Sequence, residues 1–167
     1  MDLPKKQAVY STHPLQNRVK RRSMNEIAFQ YRPATSEEHN ETVRHLKAHT
    51  EAAVGMPLQH VPFGLFAYDG ETLIGSIIGK SYFNWLHLDL IWVHERFQRR
   101  GIGTRLMRHA EEKAHMLGLN GIETWTQSWQ APEFYRKLGY QEFAVMDDFT
   151  PGRKRHAFRL QLNKGSA

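Results

Sequence analysis

The 167-residue chain contains no cysteine, which excludes disulfides, thiolate metal sites and a cysteine nucleophile. No apolar run approaches the ~20 residues of a membrane span, and the N-terminus lacks the apolar stretch of a signal peptide. Two familiar nucleotide fingerprints are also missing. A dinucleotide site would need a third glycine where Leu106 stands, and a P-loop would need Gly-Lys followed by Ser or Thr. No internal repeat or low-complexity tract is present. These absences leave a cytoplasmic, soluble protein without membrane contact as the expectation, and the length suits one domain with a proper core.

A formal net charge of +6 would suit a nucleic-acid partner, but its distribution opposes that reading. Lys5, Lys6, Arg18, Lys20, Arg21 and Arg22 lie in residues 1–23 beside one acid, Asp2. The remainder is nearly neutral, so a nucleic acid is not the expected partner. Residues 1–25 read as a basic, mobile arm that could touch an acidic partner, and residues 26–164 as a single domain.

The strongest local signal is Gln98, Arg99, Arg100, Gly101, Ile102, Gly103, Thr104. Upstream, Leu86 to Val93 reads as a strand. Downstream, Leu106, Met107, Ala110, Ala114 and Leu117 recur at helical spacing, which places the glycines at a helix N-terminus. The first amides of a helix lack intrahelical partners and its dipole is positive there, so main chain and two arginines can hold a phosphorylated ligand.

Around this unit the chain alternates strands and helices. Ile27, Phe29 and Tyr31 alternate with polar residues as a strand ended by Pro33. Thr35 with Glu38 forms a capping box for a helix carrying Val43 and Leu46, and Ala52 to Val54 suggest a second short helix. Phe63 to Tyr68 and Leu73 to Ile78 flank Asp69 and Gly70 as a hairpin. The strand from Leu86, the helix from Gly103 and the strand Ile122 to Gln127 make one βαβ unit. Pro132 opens a short helix closed by Gly139. Tyr140 to Met146 and His156 to Leu162 are final strands, joined by a loop containing Thr150, Pro151 and Gly152. Within it, Arg153, Lys154 and Arg155 read as a solvated hairpin end that could contact a second subunit in a homodimer. Asp147 and Asp148 could attract a polyamine or amino sugar.

A second motif completes the first. Gln98, Gly101 and Gly103 resemble the acyl-CoA loop of the GNAT superfamily of N-acetyltransferases, and Ala131, Phe134, Tyr135, Lys137, Gly139 and Tyr140 are similar to its other signature. The resemblance covers roughly Ile27 to Leu162. It implies an α/β fold with a mixed sheet of about seven strands, flanked by about four helices and splayed between Leu86 to Val93 and Ile122 to Gln127. It also implies acetyl-CoA as co-substrate. The pantetheine arm would bond main-chain groups of Ile91, Trp92 and Val93. The pyrophosphate would sit on Gln98, Arg99, Arg100, Gly101, Ile102, Gly103 and Thr104, with Phe134 and Tyr135 nearby. The family's Asn falls here on Ser128, which would bond the pantetheine more weakly or through water. No metal is expected.

Acetyl transfer from a thioester to an amine needs a neutral amine, stabilisation of the developing oxyanion and a proton for the departing thiolate. By resemblance, the Val93 amide serves the oxyanion and Tyr135 the thiolate; Tyr135 can equally pack the short helix. Alternation places Trp85, His87, Asp89, Ile91 and Val93 on one strand face. His87 and Asp89 fall on two positions where a member of the family carries paired catalytic histidines. A carboxylate within an apolar strand needs a partner, so Asp89 reads as the base or as half of a buried ion pair, with His87 orienting it or relaying a proton. Glu123 is a third candidate, or an exposed strand end. Trp85 and Trp125 can wall the site against a cationic amine. The absence of cysteine implies direct attack, most simply on acetyl-CoA by a small-molecule amine such as a metabolite, amino sugar or antibiotic. A lysine or N-terminal protein acetyltransferase and a non-catalytic acyl-CoA-binding module are the alternatives.

Overall fold

In the computed structural model, the described residues are 27–162, so the basic arm lies outside them. Their order is α1 (Ser36–Val54), β1 (His60–Asp69), β2 (Thr72–Tyr82), β3 (Trp85–Val93), α2 (Ile102–Met116), β4 (Gly121–Gln127), α3 (Pro132–Lys137), β5 (Gln141–Thr150) and β6 (Arg153–Gln161), with a 3-10 turn at Glu95–Phe97. The six strands form one sheet in the order β1-β2-β3-β4-β6-β5. All neighbours are antiparallel except β3 and β4.

The core lies where α2 crosses the sheet. Leu106, Met107, Ala110 and Ala114 project from one face of α2 onto Ile77, Leu86, Leu88, Ile122 and Phe158, all buried. This is the apolar stripe that the helical spacing predicts, except that Leu117 falls at the C-cap and is exposed. Burying a large side chain of this kind contributes on the order of 2 kcal/mol. Tyr140, also buried, donates its hydroxyl to Glu111 Oε1 at 3.1 Å and ties the start of β5 to α2.

The β3–β4 pairing is the feature that makes a site. It is parallel and holds for four residue pairs, Trp85–Gly121 to Leu88–Thr124. The Thr124 hydroxyl donates to the Leu88 carbonyl at 3.1 Å at the last of them. Beyond this latch β3 stays with β2 and β4 stays with β6, so the sheet opens into a wedge. A register shift in the β2–β3 ladder between Ile78 and Gly79 places a bulge at Asp89, opposite those residues. A Cβ on Gly79 would stand 2.1 Å from the His87 carbonyl oxygen, so this close approach of two main chains requires glycine.

The bulge overturns the expected alternation. One extra residue in a strand reverses the faces that follow it. Leu86 and Leu88 share the α2 face with Ile91 and Val93, whereas Leu90 and Trp92 are exposed. His87 and Asp89 therefore do not share a face with Ile91 and Val93.

The N-terminal part departs further. Residues 27–31 form no strand, and Ile27, Phe29 and Tyr31 are 79, 93 and 92% exposed; the sheet of the described residues has six strands, close to the expected count of about seven. One helix spans 36–54 and absorbs the short second helix. Its capping box is present, with the Glu38 amide donating to Thr35 Oγ1 at 3.2 Å and the Thr35 amide to Glu38 Oε2 at 2.9 Å. It buries none of its residues. Alternation and capping are local signals, and neither specifies a surface to pack against.

Candidate active site

A cleft of about 720 Å³ occupies the wedge. One wall is β3 from His87 to Ile91 together with Val93, the other is β4 from Thr124 to Gln127, and the loop from Phe97 to Thr104 and residues of α3 close it. Of the residues expected from sequence, His87, Asp89, Ile91, Val93, Gln98, Arg99, Gly101, Gly103, Thr104, Trp125, Phe134 and Tyr135 line it.

On the α2 side the lining is chiefly main chain. The His94 amide donates to the Ile74 carbonyl at 2.9 Å. Since alternate residues of an antiparallel strand bond to the same neighbour, Trp92 and Leu90 turn their peptide groups to β2, while those of Ile91 and Val93 face the wedge. Gln98 Nε2 donates to the Val93 carbonyl at 3.1 Å and leaves the Val93 amide facing the cleft. Trp92, expected as a main-chain partner, is turned away by this alternation.

The loop then bends through two left-handed residues, Arg99 at φ 58° and Gly101 at φ 79°. Gly101 caps α2 with no side-chain hydrogen bond to the first amides. An uncapped helix N-terminus facing a cleft is suited to an anion. A Cβ at Gly103 would already touch Phe134 at 3.4 Å, which sets the spacing between α2 and α3. Arg100 stacks over Phe97 at 5.5 Å rather than lining the cleft, and Ile102 packs into the core.

Tyr135 stands at the apex of the wedge. It is 5% exposed, stacks on Phe158 at 5.4 Å and meets Phe134 and Tyr140 edge-on. Burial pushes its phenol up to about 12, with the Thr124 hydroxyl pulling the other way. The group is thus a proton donor at neutral pH.

On the opposite face the lining is side chain. His87 Nε2 lies 3.1 Å from Asp89 Oδ1 and Nδ1 lies 3.0 Å from Glu123 Oε1; Lys80 Nζ is 3.6 Å from the other Asp89 oxygen. The partner that Asp89 requires is therefore present, and one imidazole links two carboxylates. With side-chain exposures of 25, 40 and 35% for His87, Asp89 and Glu123, the chain of groups is partly open to solvent.

Besides Trp92, Arg100 and Ile102, three more expected residues lie off the cleft lining. Trp85 lies at the paired end of β3, over Gly121. Glu123 is beside the cleft and reaches it through His87. Ser128 Oγ accepts the Lys154 amide at 3.2 Å. Gln130 lines the cleft instead and was missed; its side-chain Oε1 accepts from the Thr126 hydroxyl at 3.3 Å and the Gln127 amide at 3.2 Å. Arg155 was missed too. It belongs to β6, lines the cleft and stacks over Trp125, so it is not a solvated hairpin end.

A sequence profile described as the acetyltransferase (GNAT) family matches residues 22–140. The chain belongs to the GNAT acetyltransferase family. It is an acyltransferase, and its mixed sheet splayed at β3 and β4 is the fold that this membership and its structural likeness give. The GNAT chain is 36% identical over 91 residues to a blasticidin-S acetyltransferase of Streptomyces morookaense, covering 54% of this chain and 67% of that one. An acetyltransferase structure from Bacillus cereus superposes with a TM-score of 0.71 at 28% identity over 80% of this chain and 98% of that one. An acetyltransferase structure from Bacillus anthracis, solved with acetyl coenzyme A, shares the fold at 22% identity, with a TM-score of 0.56 over 62% of this chain and 64% of that one.

Proposed function

We propose that the chain is an N-acetyltransferase that moves the acetyl group of acetyl-CoA to the primary amine of a small molecule, a metabolite or an amino-sugar or antibiotic-like amine, by direct attack. The observation that carries this reading is the wedge. It sets a main-chain anion cradle and a protonated phenol on one side of a gap, and a carboxylate–imidazole–carboxylate chain on the other.

The residues present fit acetyl-CoA. The uncapped amides of Ile102, Gly103 and Thr104 would hold the pyrophosphate, with Arg99 adding charge. The Ile91 and Val93 peptide groups would pair with the pantetheine arm as an added strand does, since β4 has left that edge of β3 free. Acetyl-CoA supplies an activated thioester carbonyl. The Val93 amide would meet the charge that develops on its oxygen, and Tyr135 would give its proton to the thiolate. His87, Asp89 and Glu123 would take the proton from the amine, whose charged form predominates at neutral pH. The relative from Streptomyces, named for an antibiotic acceptor, supports a small-molecule amine.

Release of CoA measured with a panel of amines tests the reading. Turnover is expected on at least one small amine, and Tyr135→Phe should lower kcat about 10²-fold or more while leaving the KM for acetyl-CoA nearly unchanged. Unchanged turnover would remove Tyr135 from the acid role. Binding of acetyl-CoA without turnover on any amine would favour a binding module.

A further inference from the structure

The reading above leaves the acceptor's chemistry open beyond its amine, and the wedge contains a cation that this reading does not use. Arg155 pairs with Gln127 across the β4–β6 ladder, and its neighbour Ala157 pairs with Trp125. Its side chain leans back over the Trp125 ring, with the guanidinium carbon 4.8 Å from that ring and 5.2 Å from Phe149. The two aromatic contacts fix the guanidinium and leave its N–H edge to be satisfied from elsewhere. The Nε is buried without a hydrogen-bond partner, and no carboxylate among the described residues lies within ion-pair distance of the group.

The neighbouring acids are already engaged. Asp147 pairs with Lys154 at 2.7 Å, Glu142 with Arg136 and with His156, and Asp148 accepts the Gly152 amide at 2.9 Å. An always-charged fork held at a cleft wall with no counterion is suited to a planar anion. Two residues of β4, about 7 Å, separate Trp125 beneath this fork from Glu123, where His87 and Asp89 gather. The wedge therefore presents a cation at one point and an acidic cluster a few bonds' length away.

We propose, resting on the acetyltransferase reading, that Arg155 binds a carboxylate of the acceptor, so that the preferred acceptors are amino acids and other amines carrying a carboxylate a few bonds from the nitrogen. The amine faces the His87, Asp89 and Glu123 cluster while the carboxylate meets the guanidinium fork. Polycationic amines gain nothing from Arg155 and are repelled by it. Such a site would select acceptors through an ion pair rather than through the shape of an apolar pocket.

Matched pairs test this: primary amines assayed as the free carboxylate and as the neutral carboxamide, with CoA release followed in both. The unmodified enzyme should prefer the carboxylate about ten- to hundredfold in kcat/KM, the range of a charge-assisted contact, chiefly through KM. Arg155→Met should reduce that ratio to within about twofold. Arg155→Lys, which keeps the charge without the fork, should retain part of it. Equal turnover of acid and amide by the unmodified enzyme, or a preference that survives Arg155→Met, overturns the role of Arg155 and leaves acetyl transfer standing. Failure of every amine, charged or neutral, with acetyl-CoA shown to bind, overturns the acetyltransferase reading and this inference with it.

Discussion

The two sides of the wedge are built from different materials. On the α2 side the ligand-facing groups are peptide units of Ile91, Val93 and the uncapped start of α2, shaped by Gly101 and Gly103 and closed by Tyr135. On the other side they are the side chains of His87, Asp89, Trp125 and Arg155, with Glu123 behind His87, and each depends on a neighbour from another strand. Peptide groups cannot be exchanged by substitution, so the first side suits a ligand common to a whole family. Side chains can, so the second suits an acceptor particular to one enzyme. The bulge at Asp89, opposite Ile78 and Gly79, joins the two. It turns Ile91 and Val93 toward α2 while keeping His87 and Asp89 on the acceptor side.

The largest effect should follow from removing that hinge. In Gly79→Val the new Cβ would stand 2.1 Å from the His87 carbonyl oxygen. Either β2 separates from β3 there or the bulge is lost, at a cost of ~3 kcal/mol or more, equivalent to a Tm lowered by about 10 °C. Both donor and acceptor parameters should suffer together. A variant with unchanged Tm and kinetics would show that the two sides do not depend on the bulge.

A smaller pair of changes should separate the sides. Gly101→Ala introduces no contact, since nothing lies within 4 Å of the added Cβ, but holds alanine at φ 79°, at a cost of roughly 1–2 kcal/mol. Relaxation of the loop should raise the KM for acetyl-CoA about tenfold and leave the acceptor's KM alone. Glu123→Gln keeps the shape beside His87 and removes its charge. Steady-state kinetics should show kcat/KM for the acceptor falling by about tenfold, with acetyl-CoA unaffected. If each substitution moved both parameters equally, the division of labour would be false.

The same division accounts for what was legible in the sequence. The donor side was readable because its requirements are local. Gln98, Gly101 and Gly103 lie within six residues, and Phe134 and Tyr135 sit side by side in the next helix, α3. Most of the elements were readable too, through period and turn residues. The acceptor side needs pairings between distant parts of the chain. Nothing near Arg155 says that Trp125 lies beneath it or that Asp147 is taken by Lys154. Gly79, an isolated glycine in a strand, was the one available signal of the bulge, and without it simple alternation put Ile91 and Val93 on the wrong face. The exposed Ile27, Phe29 and Tyr31 failed differently: their alternation fits a strand, but a strand forms only where another offers its edge.

The smallest expected effect concerns pH, and it bears on where Tyr135 sits. Burial raises its phenol from the ordinary value near 10 to about 12. Between these values the folded chain keeps a proton that the unfolded chain has lost. The contribution to stability is therefore fully present below pH 10 and is lost as pH rises through about 12. On the kinetic side, the acid stays protonated well beyond neutrality. A pH profile of kcat should show no alkaline fall attributable to Tyr135 below about pH 11. Tyr135→Phe, compared by thermal unfolding from pH 9 to 11, should lose stability with pH more shallowly than the unmodified chain. A steeper decline in the Phe variant, or a Tyr135-dependent loss of kcat near pH 10, would mean that the phenol is solvated like the side chains across the wedge, and the contrast between a dry donor apex and an open acceptor face would fail.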